Sequence, residues 1–365
     1  MPGAHAVVLV LATIVAGIGV GGALSHTDSR TVGSEVAAPT TTTVSTTVPR
    51  PTVVPLAAIT SASAGVVDVN ATLGYQSARS SGSGMALTSD GEILTNNHVI
   101  EGATSISVTD TANGQTYPAT VVGYGVASDV AVIQLQGAAG LATVSVGTSP
   151  AQVGDPVVAV GNAGGAGGRP ASARGRVTAL GQSISAADAL SGASEQLEGL
   201  IETNAAVVAG YSGGPLIDAY GRVVGMDTAA STGYVLGADA TQGYAIPIAR
   251  ARQVEDQILA GRSSSEVHVG PTAFLGVVVA SYGDSVAGGA SDVVVTVAPR
   301  SPADQAGVFP GATITAVDGA LTASPAALAA DLLADRPGQQ VSLAWRDAGG
   351  GDHTALVTLG SGPPQ

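Results

Sequence analysis

The stretch Gly210-Tyr211-Ser212-Gly213-Gly214-Pro215-Leu216-Ile217 constrains this chain more than any other. Glycine on both sides of a serine opens backbone conformations closed to other residues, so the hydroxyl can face outward while neighbouring N–H groups approach a ligand. Gly210, Ser212 and Gly214 spell G-x-S-x-G, a pattern that in one setting leads straight from a strand into a helix. Here Gly213, Gly214 and Pro215 follow the serine, and glycine and proline are the poorest helix formers. The sequence predicts a hairpin instead: Leu216-Ile217-Asp218, a turn at Ala219-Tyr220-Gly221, then Val223-Val224-Gly225-Met226.

Composition removes several chemistries. All 13 basic residues are arginine, which excludes a Walker A lysine, a Ser-Lys dyad and a Schiff base. No cysteine is present, which excludes a thiol nucleophile and a thiolate zinc site. The five histidines (His5, His26, His98, His268, His353) are too scattered for H-E-x-x-H, so no metal and no organic cofactor is expected. A net charge of −14 with 3% aromatic residues offers neither the basic footprint nor the stacking surface for nucleic acid.

Ala6 to Leu24 is a run of 19 apolar or small residues, close to the ~20 that span a bilayer. Residues 1–25 are therefore expected to be a transmembrane anchor holding the catalytic part outside the cell membrane, with a cleaved signal peptide and a secreted product as the alternative. Residues 26–58, rich in Thr and Pro, predict an extended linker. From residue 59 short β-like runs alternate with Gly, Asp, Asn and Ser, a mostly β pattern. The segment 163–199, rich in Gly, Ala and Ser, reads as surface loops.

Candidate partners for Ser212 lie upstream. Gly82 to Leu87 and Glu92 to Thr95 predict a hairpin ending at Asn96-Asn97-His98-Val99-Ile100, and His98 is the only histidine between residues 59 and 267. Asp129 opens the apolar run Val130-Ala131-Val132-Ile133, where a carboxylate can be half-buried and aimed at an imidazole. The order His98, Asp129, Ser212 is that of chymotrypsin-type proteases, whereas an α/β-hydrolase esterase runs Ser, Asp, His. Order and hairpin point the same way.

These residues and their neighbours carry a family resemblance. Gly82-Ser83-Gly84, Thr95-Asn96-Asn97-His98-Val99, Ser128-Asp129-Val130-Ala131, Val160-Gly161-Asn162, Ser212-Gly213-Gly214-Pro215-Leu216, Gly225-Met226-Asp227-Thr228 and Gly243-Tyr244-Ala245-Ile246-Pro247 resemble the HtrA (DegP-like) serine proteases in order and spacing. The resemblance implies a two-β-barrel, chymotrypsin-like protease domain over 59–262 and a PDZ domain over 270–362. It implies Ser212 as nucleophile, His98 as base and Asp129 as its orienting carboxylate, with the N–H groups of Gly210 and Ser212 as oxyanion hole. Phe274-Leu275-Gly276-Val277 resembles the PDZ loop that holds a peptide C-terminus on backbone N–H groups. Ser301-Pro302 and Ser324-Pro325 each open a helix, and Leu328, Leu332 and Leu333 of the second line its groove or pack its core.

The expected partners are therefore protein or peptide substrates and protein C-termini, the membrane through the N-terminal helix, and, as in family members, a homotrimer. The expected work is cleavage of misfolded or selected exported proteins. The chain departs from the family at Asn204, Val208, Ala209 and Tyr211, where TDAxINPGNSGGP is usual. That departure sustains an alternative, a catalytically silent relative that binds peptides as a chaperone module. Ala205 to Ala209 bring no charge near the nucleophile, which predicts a pocket for small or medium apolar side chains.

Overall fold

Period-two alternation of apolar residues sets the architecture, because each strand sends successive side chains to opposite faces. Our computed structural model describes residues 51–162, 168–187, 194–228, 242–283, 290–322 and 324–365. The expected anchor over 1–25 lies outside the described residues, among which no helix is long and apolar enough to cross a membrane. Most of the expected linker and residues 163–167 and 188–193 also lie outside them.

The first sheet runs in the order His268–Val269, Thr116–Gly125, Ser105–Asp110, Val66–Leu73, Ala78–Ala86, Glu92–Thr95, Val130–Leu135. Thr116–Gly125 also pairs with Val130–Leu135, so six of the strands close into a barrel. The second sheet closes in the same way. Its order is Pro215–Ile217, Pro156–Gly161, Ala171–Ala187, Ser194–Thr203, Gly243–Pro247, Arg222–Thr228, Ser145–Val146, and Pro215–Ile217 returns to pair with Arg222–Thr228.

Alternation then sorts the cores. Ala131 and Ile133 fill the first barrel while Val130 and Val132, on the other face of the same strand, pack between the barrels. Val157 and Ala159 likewise fill the second barrel, and Val158 and Val160 meet Val130 and Val132 in the shared core. Each such buried valine contributes about 1.5–3 kcal/mol of transfer free energy, so the seam between barrels is as strongly built as either interior. The helix Ile248–Leu259 covers it, burying Ile248, Ala251, Val254 and Ile258 at helical spacing.

A third body follows. Val277–Gly283, Ala290–Val297, Thr313–Val317, Gln340–Arg346 and Asp352–Thr358 form one sheet in that order, with Ala320–Leu321 beside Thr313–Val317. The helices Pro302–Ala306 and Pro325–Ala334 start as the sequence predicts, each capped by a serine oxygen (Ser301, Ser324) with proline in its first turn. Leu328 and Leu332 pack this body's core, whereas Leu333 packs against the first barrel.

Two expectations are corrected. The folded region reaches upstream of residue 59: Val54 is buried, the helix Leu56–Ser63 packs Ile59 and Ala62 into the shared core, and Arg174 donates to the Val54 carbonyl. Within the segment expected to form surface loops, Ala171–Ala187 and the start of Ser194–Thr203 are instead strands that pair with each other at the centre of the second barrel. Small side chains hide their alternation in the sequence; Val177, Ile184, Leu197 and Leu200 are their sparse inward anchors.

One buried charge stands out in the covering helix. Glu255 is fully buried, and burial, reinforced by the nearby Glu92 and Asp256 carboxylates, pushes its pKa up to about 8 against the opposing pull of Arg252. The folded state thus holds a proton that the unfolded chain, with an ordinary glutamate, releases near 4.5. Stability contributed at this position falls as pH rises from that value to about 8. Glu255→Gln, which cannot ionise, should raise Tm at pH 8 by roughly 2–4 °C, the equivalent of about 1 kcal/mol, and leave Tm near pH 4.5 unchanged; melting curves across that range check it.

Candidate active site

Three short segments, far apart in sequence, converge where the barrels meet. His98 lies on the one-turn helix Asn97–Ile100 that follows the strand Glu92–Thr95, one step beyond the strand end that the sequence suggested. Asp129 precedes Val130–Leu135 in a left-handed conformation (φ 52°), fixed by its N–H bond to the Val126 carbonyl and by Asn96 Nδ2 donating to its own carbonyl. A non-glycine residue there costs about 1–2 kcal/mol, so the surrounding bonds must hold it.

What they hold is an aimed carboxylate. His98 Nδ1 lies 2.9 Å from Asp129 Oδ2 and 3.0 Å from Oδ1, and the His98 backbone N–H donates to Oδ1 at 3.1 Å. Thr228, the last residue of Arg222–Thr228, donates its hydroxyl to Oδ2 at 3.0 Å. Asp129 is buried and His98 partly so, which strengthens these bonds relative to water. With Nδ1 committed to the carboxylate, Nε2 is placed on the far side of the ring.

Ser212 sits in a turn clamped from both barrels. The Ser83 N–H donates to the Ser212 carbonyl (2.7 Å), and Ser83 Oγ donates to the Gly210 carbonyl while accepting the Asn162 N–H (each 2.8 Å). Thr95 Oγ1 donates to the Ser83 carbonyl, which ties the His98-bearing strand into the same network. On the other side Gly213 N–H donates to the Asp227 carbonyl and the Asp227 N–H donates to Gly214, at 2.9 and 2.8 Å. The turn can lose neither Gly213 (φ 84°) nor Gly214, since a β-carbon at the first would collide with the Ser83 carbonyl and at the second with the Val160 carbonyl.

Ser83, Asn96 and Asp227-Thr228 fall within the family-like motifs, but no role is legible there because their contacts are all non-local. Tyr211, one of the departures from the family pattern, is buried with Ala205 and Val207 in the second barrel's core. Burial, together with the nearby Asp227, raises its phenolic pKa.

Phe274, Leu275, Gly276 and Val277 lie elsewhere, at the start of the third body. Phe274 ends the strand Thr272–Phe274, which pairs with Gly360–Gly362; Leu275 is buried, Gly276 is left-handed (φ 88°), and Val277 opens the first strand of the sheet. That strand's outer edge pairs with no strand among the described residues.

Comparison with known proteins fits this geometry. Residues 82–226 match the trypsin-like peptidase domain and residues 293–347 the PDZ domain. The chain is HtrA-like. It is 33% identical over 314 residues to serine protease PepD of Mycobacterium tuberculosis, across 81% of this chain and 63% of that protein. It is 33% identical over 258 residues to the periplasmic serine endoprotease DegP of Escherichia coli, across 69% of this chain and 51% of the relative. The HtrA-like chain thus spans about half to two-thirds of the length of these relatives.

Ser83→Ala should leave the Gly210 carbonyl and the Asn162 N–H without their shared partner at a buried position. The expected loss is about 1–3 kcal/mol in urea denaturation, against a near-neutral outcome for the exposed Ser81→Ala.

Proposed function

We propose that this chain is a serine endopeptidase in which Ser212 attacks the peptide carbonyl, His98 takes and returns the proton, and Asp129 orients and stabilises the imidazolium. The observation that carries the reading is the His98–Asp129 pair at 2.9 Å, held by Thr228, beside a glycine-framed Ser212 turn. The N–H groups of Gly210 and Ser212 serve as oxyanion hole; losing one such donor costs about 100- to 1,000-fold in turnover. The names of the relatives, serine protease and periplasmic serine endoprotease, agree with an extracytoplasmic enzyme of this kind acting on misfolded or selected exported proteins. Membrane attachment through residues 1–25 completes the reading.

The PDZ body binds protein C-termini. Its open sheet edge at Val277–Gly283 can accept a peptide as an added strand, and the left-handed Gly276 lies in the loop just before that edge, where backbone N–H groups would hold the terminal carboxylate. The primary specificity pocket takes small or medium apolar side chains, in keeping with the buried, uncharged cluster of Ala205 and Val207 before the nucleophile.

Wild type should degrade an unfolded protein substrate and Ser212→Ala should not, by at least about 1,000-fold. Equal turnover would leave the peptide-binding chaperone reading. The rate should fall toward acid pH, because a protonated His98 cannot accept the serine proton. Cleavage of a peptide library should favour Ala and Val before the scissile bond; a dominant preference for Arg or Lys would refute the pocket assignment.

A further inference from the structure

Asp227 is a second carboxylate beneath the nucleophile turn, and the triad does not use it. It is 0% exposed, and neither of its carboxyl oxygens has a hydrogen-bond partner. Its backbone, by contrast, is fully engaged: the carbonyl accepts from Gly213 and the N–H donates to Gly214, the two residues after Ser212. The next residue, Thr228, holds Asp129. One dipeptide therefore fixes both the nucleophile turn and the carboxylate that aims His98.

A carboxylate in such a place cannot carry its charge without reorganising what surrounds it, since an isolated buried ion has neither water nor a partner to replace its hydration. Among the described residues, the titratable group facing it is Tyr211 on the nucleophile turn. The Val160 N–H, from the strand Pro156–Gly161, offsets part of the burial cost without making a full hydrogen bond, and Ala245 stands opposite on Gly243–Pro247 with no charge. Tyr244 stands opposite Thr228 one position along, and Asp129 and His98 are reached only through Thr228. The neutral acid fits this pocket and the ion does not.

We propose that Asp227 is a positioning residue that keeps the Ser212 turn and the His98–Asp129 pair in register only while its carboxyl is protonated. It touches no reacting atom; it acts through the backbone of Gly213 and Gly214 and through Thr228. Deprotonation sends the charge toward solvent, pulls the dipeptide out of the ladder and disassembles the site. The proposal rests on the endopeptidase reading for its activity readout but not for its stability readout.

The full chain in wild-type, Asp227→Asn, Asp227→Leu and Ser212→Ala forms tests it, by kcat/KM on an unfolded protein substrate and by Tm, from about pH 6 to pH 10. Wild type should show an alkaline limb falling about tenfold per pH unit, the slope of one lost proton. Asp227→Asn should match wild type within about threefold at neutral pH and lack that limb, with a Tm advantage that widens as pH rises. Asp227→Leu, similar in size and equally unable to ionise, should show the same widening if Asn disturbs folding. An alkaline limb that persists unchanged in both variants would assign it to Tyr211 and overturn the proposal, as would a Tm gap independent of pH. If wild type and Ser212→Ala are equally inert, the endopeptidase reading falls, and the pH dependence of the Tm gap still decides whether Asp227 is a proton-dependent clamp.

Discussion

The structure depends on one contact between barrels: the strand Ala78–Ala86 of the first reaches across the seam and grips the nucleophile turn of the second through Ser83. Ser83 bonds the carbonyls of Gly210 and Ser212, two residues apart, which defines the path of the chain through Tyr211 more tightly than either bond alone. Because His98 and Asp129 belong to the first barrel and Ser212 to the second, any slip at the seam would separate the parts of the site. The buried valines on both sides, Val130, Val132, Val158 and Val160, oppose that slip without specifying direction, since burial is not directional. Ser83 supplies the direction.

This division explains how much was legible in the sequence. The hairpin after Ser212, the serine-proline helix starts and the order of His98, Asp129 and Ser212 are local patterns, and the structure places the hairpin and both helix starts where those patterns put them. His98 and Asp129 do meet, a contact across 31 positions that chain order suggested and the resemblance implied. The central hairpin of the second barrel is hidden in the sequence because Ala, Gly and Ser give no apolar alternation; its two arms pair with each other and are flanked by Pro156–Gly161 and Gly243–Pro247. Glu255 was silent for a related reason: beside Arg252 and Asp256 it reads as one of a row of surface charges, and only helix phase places it under the seam.

The buried acids share a logic that composition conceals. In a chain of net charge −14 the ordinary place for a carboxylate is the surface. Asp68 on the strand facing Ser83, Asp227 under the nucleophile turn and Glu255 under the covering helix all lie along or near the seam, and burial raises the pKa of each, to about 6 for Asp68 and about 8 for Glu255. Carboxyls that remain protonated cost the fold less than buried ions and leave the seam sensitive to proton release. The interface that assembles the site is thus also where the fold's ionisable groups are concentrated inside.

The PDZ body touches this arrangement from the opposite side of the first barrel's sheet edge. His268–Val269 extends that sheet as a further strand beside Thr116–Gly125, so the connection between the bodies is a rung of the ladder and not a loose tether. The Tyr124 hydroxyl bonds Thr272, the ring of Phe274 stacks on Tyr75 with centroids 5.0 Å apart, and Leu333 packs on the barrel core. Further along, the Pro364 and Gln365 carbonyls accept from Gly102 N–H and Asn97 Nδ2, next to His98 itself. Phe274 therefore stands at the junction of two surfaces, the loop before the open sheet edge and the turn between the first two strands of the barrel. A rearrangement of that loop large enough to move the ring must either break the stack on Tyr75 or carry Tyr75 with it, and the strand after Tyr75 is the one whose Ser83 grips Ser212.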